Sequence, residues 1–548
     1  MIAEPDALPA KAERSETASE KADDGRDARK RRVFQNASVN LASKVFYLAT
    51  RFFLPPLTLS YVSLAEYGIW ATCFILIGYL GMSAFGVSNV YVRYVAEYHA
   101  RGEIEKINRL LSTGLTVVTG MCVALLAGLW FGLPLFIARL NVPGPLRGMA
   151  FTLMFVTAAT FMLDLSFGAF SYVMSGLQQI TEQTVVWVIS FCLEAVLIVA
   201  MLMGGFGIYA LLWAFVIRYL FATAAYFYLC RRALPGMSLR PRHFDRAMLR
   251  LFYGYGAVVQ LSGLLGMFLY SIEKLIAGMF IGVQATGLLD VGEKLPVMAS
   301  QVPASMNSVF LPAMAQMHSL EKQDEVAALY LKGARYLNML MGAILGFLAA
   351  FASPLLMAWI GYDEKYQMAA LIMSLVCLPY QMNELTGPAS AYHRSTGHPR
   401  RELVYPLTQL GLVALTVSFG FAWFGQTVLV ICVAVAASMV LSALVYLGYT
   451  NRYMGLSMAL YARQVLLPGI APYAVGFACA WLTRPAFAWA GTGRWQTLPV
   501  IAVSGLGYMA VTTALLYGGM SERNERERMR RQFMEMFGRL RGMKGQPI

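Results

Sequence analysis

Charge is scarce in this chain. Only 14% of its 548 residues are Asp, Glu, Lys or Arg, and 58% are hydrophobic, whereas a soluble domain is about 25% charged. A chain of this kind cannot leave so much apolar surface in water, so it is read as an integral membrane protein. Polar sequence between the apolar segments is also short, about 20 residues at most. That leaves no room for an outer catalytic domain with an acid pair or a nucleophile and base, which excludes a membrane glycosyltransferase or ligase. No P-loop or ATPase signature is present, so any transport would not use ATP hydrolysed by this chain. The expectation is a protein that is not an enzyme and uses no cofactor.

Cysteine and histidine carry no chemistry here. The seven cysteines (73, 122, 192, 230, 377, 432 and 479) lie in or at the ends of apolar segments, and none has the spacing of a metal site. They are read as small hydrophobes, and no metal is expected. The five histidines form no cluster. The first 33 residues are highly charged and lack an apolar h-region, so no cleavable signal is expected there, only a disordered cytosolic tail. The net charge of +14 fits cytoplasmic Lys/Arg loops and attraction to anionic lipid rather than nucleic acid.

Long apolar runs fill the rest. Fourteen candidate helices are read, at about 35–58, 66–88, 112–136, 149–171, 184–204, 207–229, 253–281, 287–313, 334–358, 367–390, 403–424, 427–449, 464–483 and 496–517. Loops after odd-numbered helices hold only Arg139, Arg147, Lys365, Arg484 and Arg494. The loop after helix 6 alone holds six arginines, from Arg231 to Arg250. The positive-inside rule therefore places both termini in the cytoplasm.

A shift of 219 residues aligns two parts of the chain without gaps. Gly68 meets Gly287, Val90 meets Val309, His99 meets His318 and Gly114 meets Gly333, although only seven of 54 positions are identical. The order of apolar and polar segments agrees as well. The expected fold is an all-α membrane protein of about 14 transmembrane helices. Two six-helix bundles would be related by an internal repeat, with helices 13 and 14 outside it. The domains read this way are a tail at 1–33, a bundle at 34–230, a basic cytoplasmic linker at 231–252 and a second bundle at 253–450. Helices 13–14 follow at 451–520. The end, 521–548, is a basic amphipathic segment on the inner leaflet. A substrate would sit between the bundles and be exposed to each side in turn.

Polar groups at membrane depth are the candidate site. Asn36, Asn40, Lys44, Tyr47 and Arg51 are spaced four, four, three and four, so they share one helical face. A charge in the bilayer core costs about 2.5–3.5 kcal/mol, so Lys44 and Arg51 suggest a polar interior that attracts an anion; the plainer reading is that both snorkel to the headgroups. Helix 8 carries a polar stripe at Asp290, Lys294, Gln301, Ser305 and Ser308, and helix 7 carries Glu273 and Lys274. Lys44, Arg51, Lys274, Lys294 and Arg218 are the candidate substrate-binding cations. Asp164, Glu194, Glu273, Asp290 and Glu293 are candidate coupling or ion-pair groups. Glu273/Lys274 and Glu293/Lys294 could equally neutralise one another, and Asp164 or Glu194 could pair with Arg218.

The segment Leu59-Ser-Tyr-Val-Ser-Leu-Ala-Glu-Tyr-Gly-Ile-Trp70, followed by Val92-Arg-Tyr-Val-Ala-Glu-Tyr98, resembles bacterial polysaccharide exporters and O-antigen flippases. These belong to the multidrug/oligosaccharidyl-lipid/polysaccharide exporter superfamily. Arg51, Glu66, Tyr67, Gly68 and Arg93 match the family's pattern of an Arg near the end of helix 1, an EYG turn and an Arg at the end of helix 2. Glu273-Lys-Leu-Ile-Ala-Gly278, then Gly282, Gly287 and the Asp290 region, resembles its helix 7–8 pattern. The resemblance implies translocation of an undecaprenyl-diphosphate-linked oligosaccharide across the bacterial inner membrane, for lipopolysaccharide O-antigen or exopolysaccharide synthesis. It also implies a polysaccharide polymerase and other assembly proteins as partners. The alternatives are a multidrug or cation-coupled exporter of the same fold and a non-transporting membrane assembly subunit.

Overall fold

The computed structural model describes residues 46–520 except 82–86, 254–262, 267, 270, 362 and 492. Lys44 and both terminal tails lie outside the described residues. Among the described residues the fold is helical, with no strand. Ten helices are long and apolar enough to cross a membrane: Leu64–Gly81, Ile104–Arg139, Gly144–Gly176, Ile180–Met203, Tyr209–Ala233, Gln323–Ala350, Pro399–Phe424, Val428–Tyr453, Met458–Ala490 and Arg494–Gly518. They coincide with ten of the fourteen expected spans. Of the other four, the first and seventh are described only in part. The eighth and tenth fall in helices Val283–Ala304 and Gln367–Ser395, whose polar content lowers their hydropathy.

Large hydrophobic side chains face outward and charges are buried, the reverse of a soluble protein. Phe131, Trp423, Trp489 and Trp495 are 70–90% exposed, while Glu194, Glu293 and Glu402 are almost wholly enclosed. Trp423, Trp489 and Trp495 stand at helix ends, where indole rings settle at the headgroup level.

The described chain falls into two compact units. The first comprises 1–57, 84–129 and 155–255, and the second 58–83, 130–154 and 256–548. In the first unit, Tyr91, Val95, Ile107, Leu110, Phe170 and Met174 form the core. Two features here were expected as loop. Residues 87–100 are a helix, Val87–Ala100, despite their polar content. The basic linker carries helix Arg246–Tyr253 and is tied down at its start. Asn108 donates to Gly236 O at 3.0 Å and accepts from Ser238 N at 2.9 Å, and Asp245 N donates to Thr113 Oγ1 at 2.9 Å.

In the second unit, Leu337, Met341, Ile372 and Ile431 centre one core, and Phe310, Tyr330, Tyr446 and Tyr461 another. Helix Leu64–Gly81 packs here against helix Val283–Ala304. The two cross at glycines. A methyl group on Gly68 would overlap the Val283 carbonyl oxygen, and one on Gly287 would sit 2.7 Å from the Leu64 carbonyl oxygen. Residues 64 and 283, like 68 and 287, are related by the 219-residue shift. The contact is thus symmetric in the repeat, as at a two-fold axis. The segment Met458–Ala490 passes, after its first α-helical turn at Met458–Tyr461, through a π-helical turn at Ala462–Leu466. There Asn338 donates to Val465 O at 2.7 Å, and Gln381 donates to Asn338 Oδ1 at 2.7 Å and to Gly469 O at 3.0 Å. These side chains satisfy carbonyls in a stretch where Pro468 and Pro472 cannot donate.

Candidate functional site

Two clusters of buried charge stand out, one in each unit. In the first unit, helix Ile180–Met203 places Phe191 and Glu194 three residues apart, on one face. Helix Tyr209–Ala233 brings Arg218 beside them. Arg218 Nε lies 3.3 Å from Glu194 Oε2, with both side chains less than a tenth exposed. Nε makes no hydrogen bond, so this is an ion pair without a directed N–H contact. Aromatic rings complete the enclosure. The Arg218 guanidinium carbon is 3.9 Å from the Tyr219 ring centre and 4.5 Å from that of Phe191.

Arg51 joins the same cluster from the helix at 46–59. It lies 5.3 Å from the Tyr47 ring centre and 5.8 Å from that of Phe191, so Phe191 has a guanidinium on each of two approaches. Trp187 packs on Phe191 at 4.4 Å and on Tyr47 at 5.7 Å. Glu194 is the acid that acts on Arg51 through space, but its ion pair is with Arg218. Arg51 is half-buried and, among the described residues, has no carboxylate within 4 Å. Asp164, on helix Arg147–Phe167, is half-buried and feels the Arg218 charge, but the two form no ion pair.

The second cluster is built on a helical hairpin. Helices Ile272–Phe280 and Val283–Ala304 are joined through Gly282, whose φ of 134° suits a residue without a Cβ. Lys274 and Asp290 each stand eight residues from Gly282, so the hairpin sets them face to face. Lys274 Nζ lies 3.0 Å from Asp290 Oδ1 and 3.1 Å from Glu293 Oε2. Lys294 Nζ lies 3.2 Å from Asp290 Oδ2, one helical turn away. Two tyrosines from other helices supply hydroxyl donors. Tyr67 donates to Asp290 Oδ2 at 3.0 Å, and Tyr380 donates to Glu293 Oε2 at 3.1 Å. Glu273 is buried with Oε1 unpartnered, and with Glu293 and Tyr380 it lines a cavity of about 30 Å³.

The cluster holds two cations and three carboxylates. Lys274 and Lys294, expected as lining cations, are therefore both ion-paired in this structure. The observed pairs are Lys274–Asp290, Lys274–Glu293 and Lys294–Asp290, not the sequence neighbours. Elsewhere, Glu384 accepts from Asn307 Nδ2 at 3.0 Å. No group of three or more metal-ligating side chains occurs among the described residues.

Several of these residues escaped the sequence reading. Tyr67 was visible only as part of the EYG motif, and Tyr380 carried no signal. Phe191 and Tyr219 were legible in principle, as neighbours of Glu194 and Arg218 on helical faces.

Residues 150–370 match the model of the family described as polysaccharide biosynthesis protein. No curated protein matches the chain. Among solved structures, the lipid II flippase MurJ in an inward closed conformation superposes with a TM-score of 0.63 at 11% identity, covering 88% of this chain and 99% of that one. An inward-facing multidrug resistance MATE family transporter of the MOP superfamily gives a TM-score of 0.59 at 16% identity, covering 77% and 94%. A MOP superfamily transporter from Pyrococcus furiosus, for which a binding pocket of reverse polarity is described, gives 0.51 at 16% identity, covering 76% and 93%. At such identities these likenesses establish the fold. The match over residues 150–370 and the fold shared with these transporters agree with the resemblance read from the motifs.

Proposed function

We propose that this protein is a flippase of the bacterial inner membrane. It would carry an undecaprenyl-diphosphate-linked oligosaccharide from the inner to the outer leaflet by alternating access, for surface polysaccharide synthesis. The observation that carries the reading is Arg51. It is a half-buried guanidinium on an apolar helix, set against aromatic rings, while the nearby Glu194 is ion-paired with Arg218. A diphosphate wants such a cation, a glycan wants polar and aromatic surface, and the lipid tail can stay in the bilayer. The polysaccharide biosynthesis match supports the glycan. One observation favours the second reading, a drug or cation-coupled exporter. The hairpin cluster has one more carboxylate than cations.

Deleting the protein separates the two. The flippase reading expects loss of a surface polysaccharide, accumulation of its lipid-linked precursor on the cytoplasmic leaflet, and unchanged antibiotic efflux. Normal polysaccharide with new drug sensitivity would instead establish the exporter.

The orientation is tested separately. The Lys/Arg asymmetry supports a cytoplasmic location for both termini. Single cysteines at positions 240 and 530, on a cysteine-free background, should be labelled only after the inner face is opened. Labelling from outside alone would reverse the topology.

A further inference from the structure

Asp290 is engaged three ways at once. It accepts from Lys274, Lys294 and Tyr67, and it stands one turn beyond Gly287, where helix Val283–Ala304 crosses helix Leu64–Gly81. Tyr67 is the neighbour of Gly68 at that same crossing. The link from Tyr67 is thus a side-chain bond across a contact otherwise made by glycine backbones. Glycine crossings allow close approach but supply little apolar area, so polar links weigh heavily there. Of the four charged groups, Lys294 is the most accessible, 28% exposed against 12–14% for Lys274 and Asp290 and 2% for Glu293.

Two lysines converging on two oxygens of one carboxylate is also how a phosphate group is held. We propose that Asp290 is a resident stand-in for the substrate's phosphate: it occupies Lys274 and Lys294 and, through Tyr67, keeps the two helices crossed, and an incoming phosphate that enters at Lys294 and displaces Asp290 from both lysines strands the buried carboxylate, which must move to water and give up its bond from Tyr67. The inference rests on the reading of the protein as a flippase of a phosphate-bearing lipid. Substrate arrival would thereby be coupled to helix movement, because the ligand binds the released state better than the closed one. Lys274 remains neutralised by Glu293 while this happens, so the exchange leaves no bare buried lysine. Asp290 and Tyr67 are positioning residues in this scheme, and Lys294 is the contact at which the phosphate enters.

The test uses the full chain, cysteine-free, in phospholipid nanodiscs. Spin labels go on cysteines at Tyr61 and Gln284, both exposed and flanking the crossing. Inorganic pyrophosphate is the probe. In the parent protein, pyrophosphate should lengthen the label-to-label distance measured by pulsed electron resonance. Asp290→Asn should show the longer distance without ligand and bind pyrophosphate roughly tenfold more tightly, since one competing charge-assisted bond is gone. Tyr67→Phe, which removes one hydroxyl and keeps the packing, should lengthen the distance and tighten pyrophosphate binding as well, but by less than Asp290→Asn, because Asp290 still competes for the lysines. A merely structural Asp290 would not move the affinity upward. The inference falls if pyrophosphate leaves the distance unchanged, or if Asp290→Asn binds it no better. It falls without the flippase reading if polysaccharide export still depends on the protein. Conversely, a working latch in a protein whose deletion leaves surface polysaccharide intact would overturn the flippase reading alone.

Discussion

Arg51→Ala should abolish polysaccharide export while the protein reaches the membrane at its normal level. The structure separates these two consequences. Arg51 rests on Tyr47 and Phe191 at 5.3 and 5.8 Å, contacts worth about 0.5–1 kcal/mol each when accessible. Its loss strands no carboxylate, because Glu194 keeps Arg218 at 3.3 Å. Stability should therefore change little. Contact with a diphosphate is different, since Arg offers two parallel N–H donors to phosphate oxygens and such bonds are about twice as strong as neutral ones. Arg51→Lys keeps the charge but loses the paired geometry and much of the stacking, so it should retain part of the export. Arg218→Ala makes a useful contrast. It leaves Glu194 buried alone and should lower the amount of protein itself. Export assayed beside immunoblots of the membrane fraction reads all three variants. Full export from a stably inserted Arg51→Ala protein would remove Arg51 from the site and favour simple snorkelling.

The sequence showed which segments are long and apolar enough to cross a membrane but not how their charges meet. Apolar length alone identified ten spans, because lipid demands a continuous run that a soluble helix does not. The spans that fell short on hydropathy are Val283–Ala304 and Gln367–Ser395, which carry Asp290, Glu293, Lys294, Gln381 and Glu384. Their polar residues face protein rather than lipid, so hydropathy undervalues them. Helix Val87–Ala100 was read as loop for a related reason, since Arg93, Glu97 and His99 interrupt its apolar pattern. Within the hairpin, the i,i+4 pair of Asp290 and Lys294 is a local signal, and Lys274–Asp290 follows once Gly282 is taken as the turn. The Tyr67–Asp290 bond joins residues 223 apart. Only the 219-residue repeat hinted at it, by pairing Gly68 with Gly287. The Glu194–Arg218 pair was one option among several, because two carboxylates and one arginine on three helices admit more than one match.

Lys274→Ala should fail in a different way from Arg51→Ala, through loss of the folded protein. Lys274 sits between Asp290 at 3.0 Å and Glu293 at 3.1 Å and is only 12% exposed. Its removal leaves Asp290, Glu293 and the buried Glu273 facing Lys294 alone. Breaking a buried ion pair by deleting one partner costs about 3–5 kcal/mol, a large share of the roughly 5–15 kcal/mol that holds a typical folded protein together. The amount in the membrane and the melting temperature of the purified protein should both fall sharply, with export falling only in proportion. Neutralising the whole group should repair the defect. Lys274→Met combined with Asp290→Asn and Glu293→Gln removes the stranded charges, and uncharged replacements of similar size are often neutral or better than the ion pairs they replace. The triple variant should therefore return to near parental abundance, although Asp290 no longer holds Tyr67 as a carboxylate. Two results would overturn this account. Lys274→Ala at parental abundance with export lost would make Lys274 a substrate contact in its own right. Lys274→Ala at parental abundance with export intact would show that the hairpin tolerates three carboxylates against one lysine, and that the network contributes little to either folding or transport.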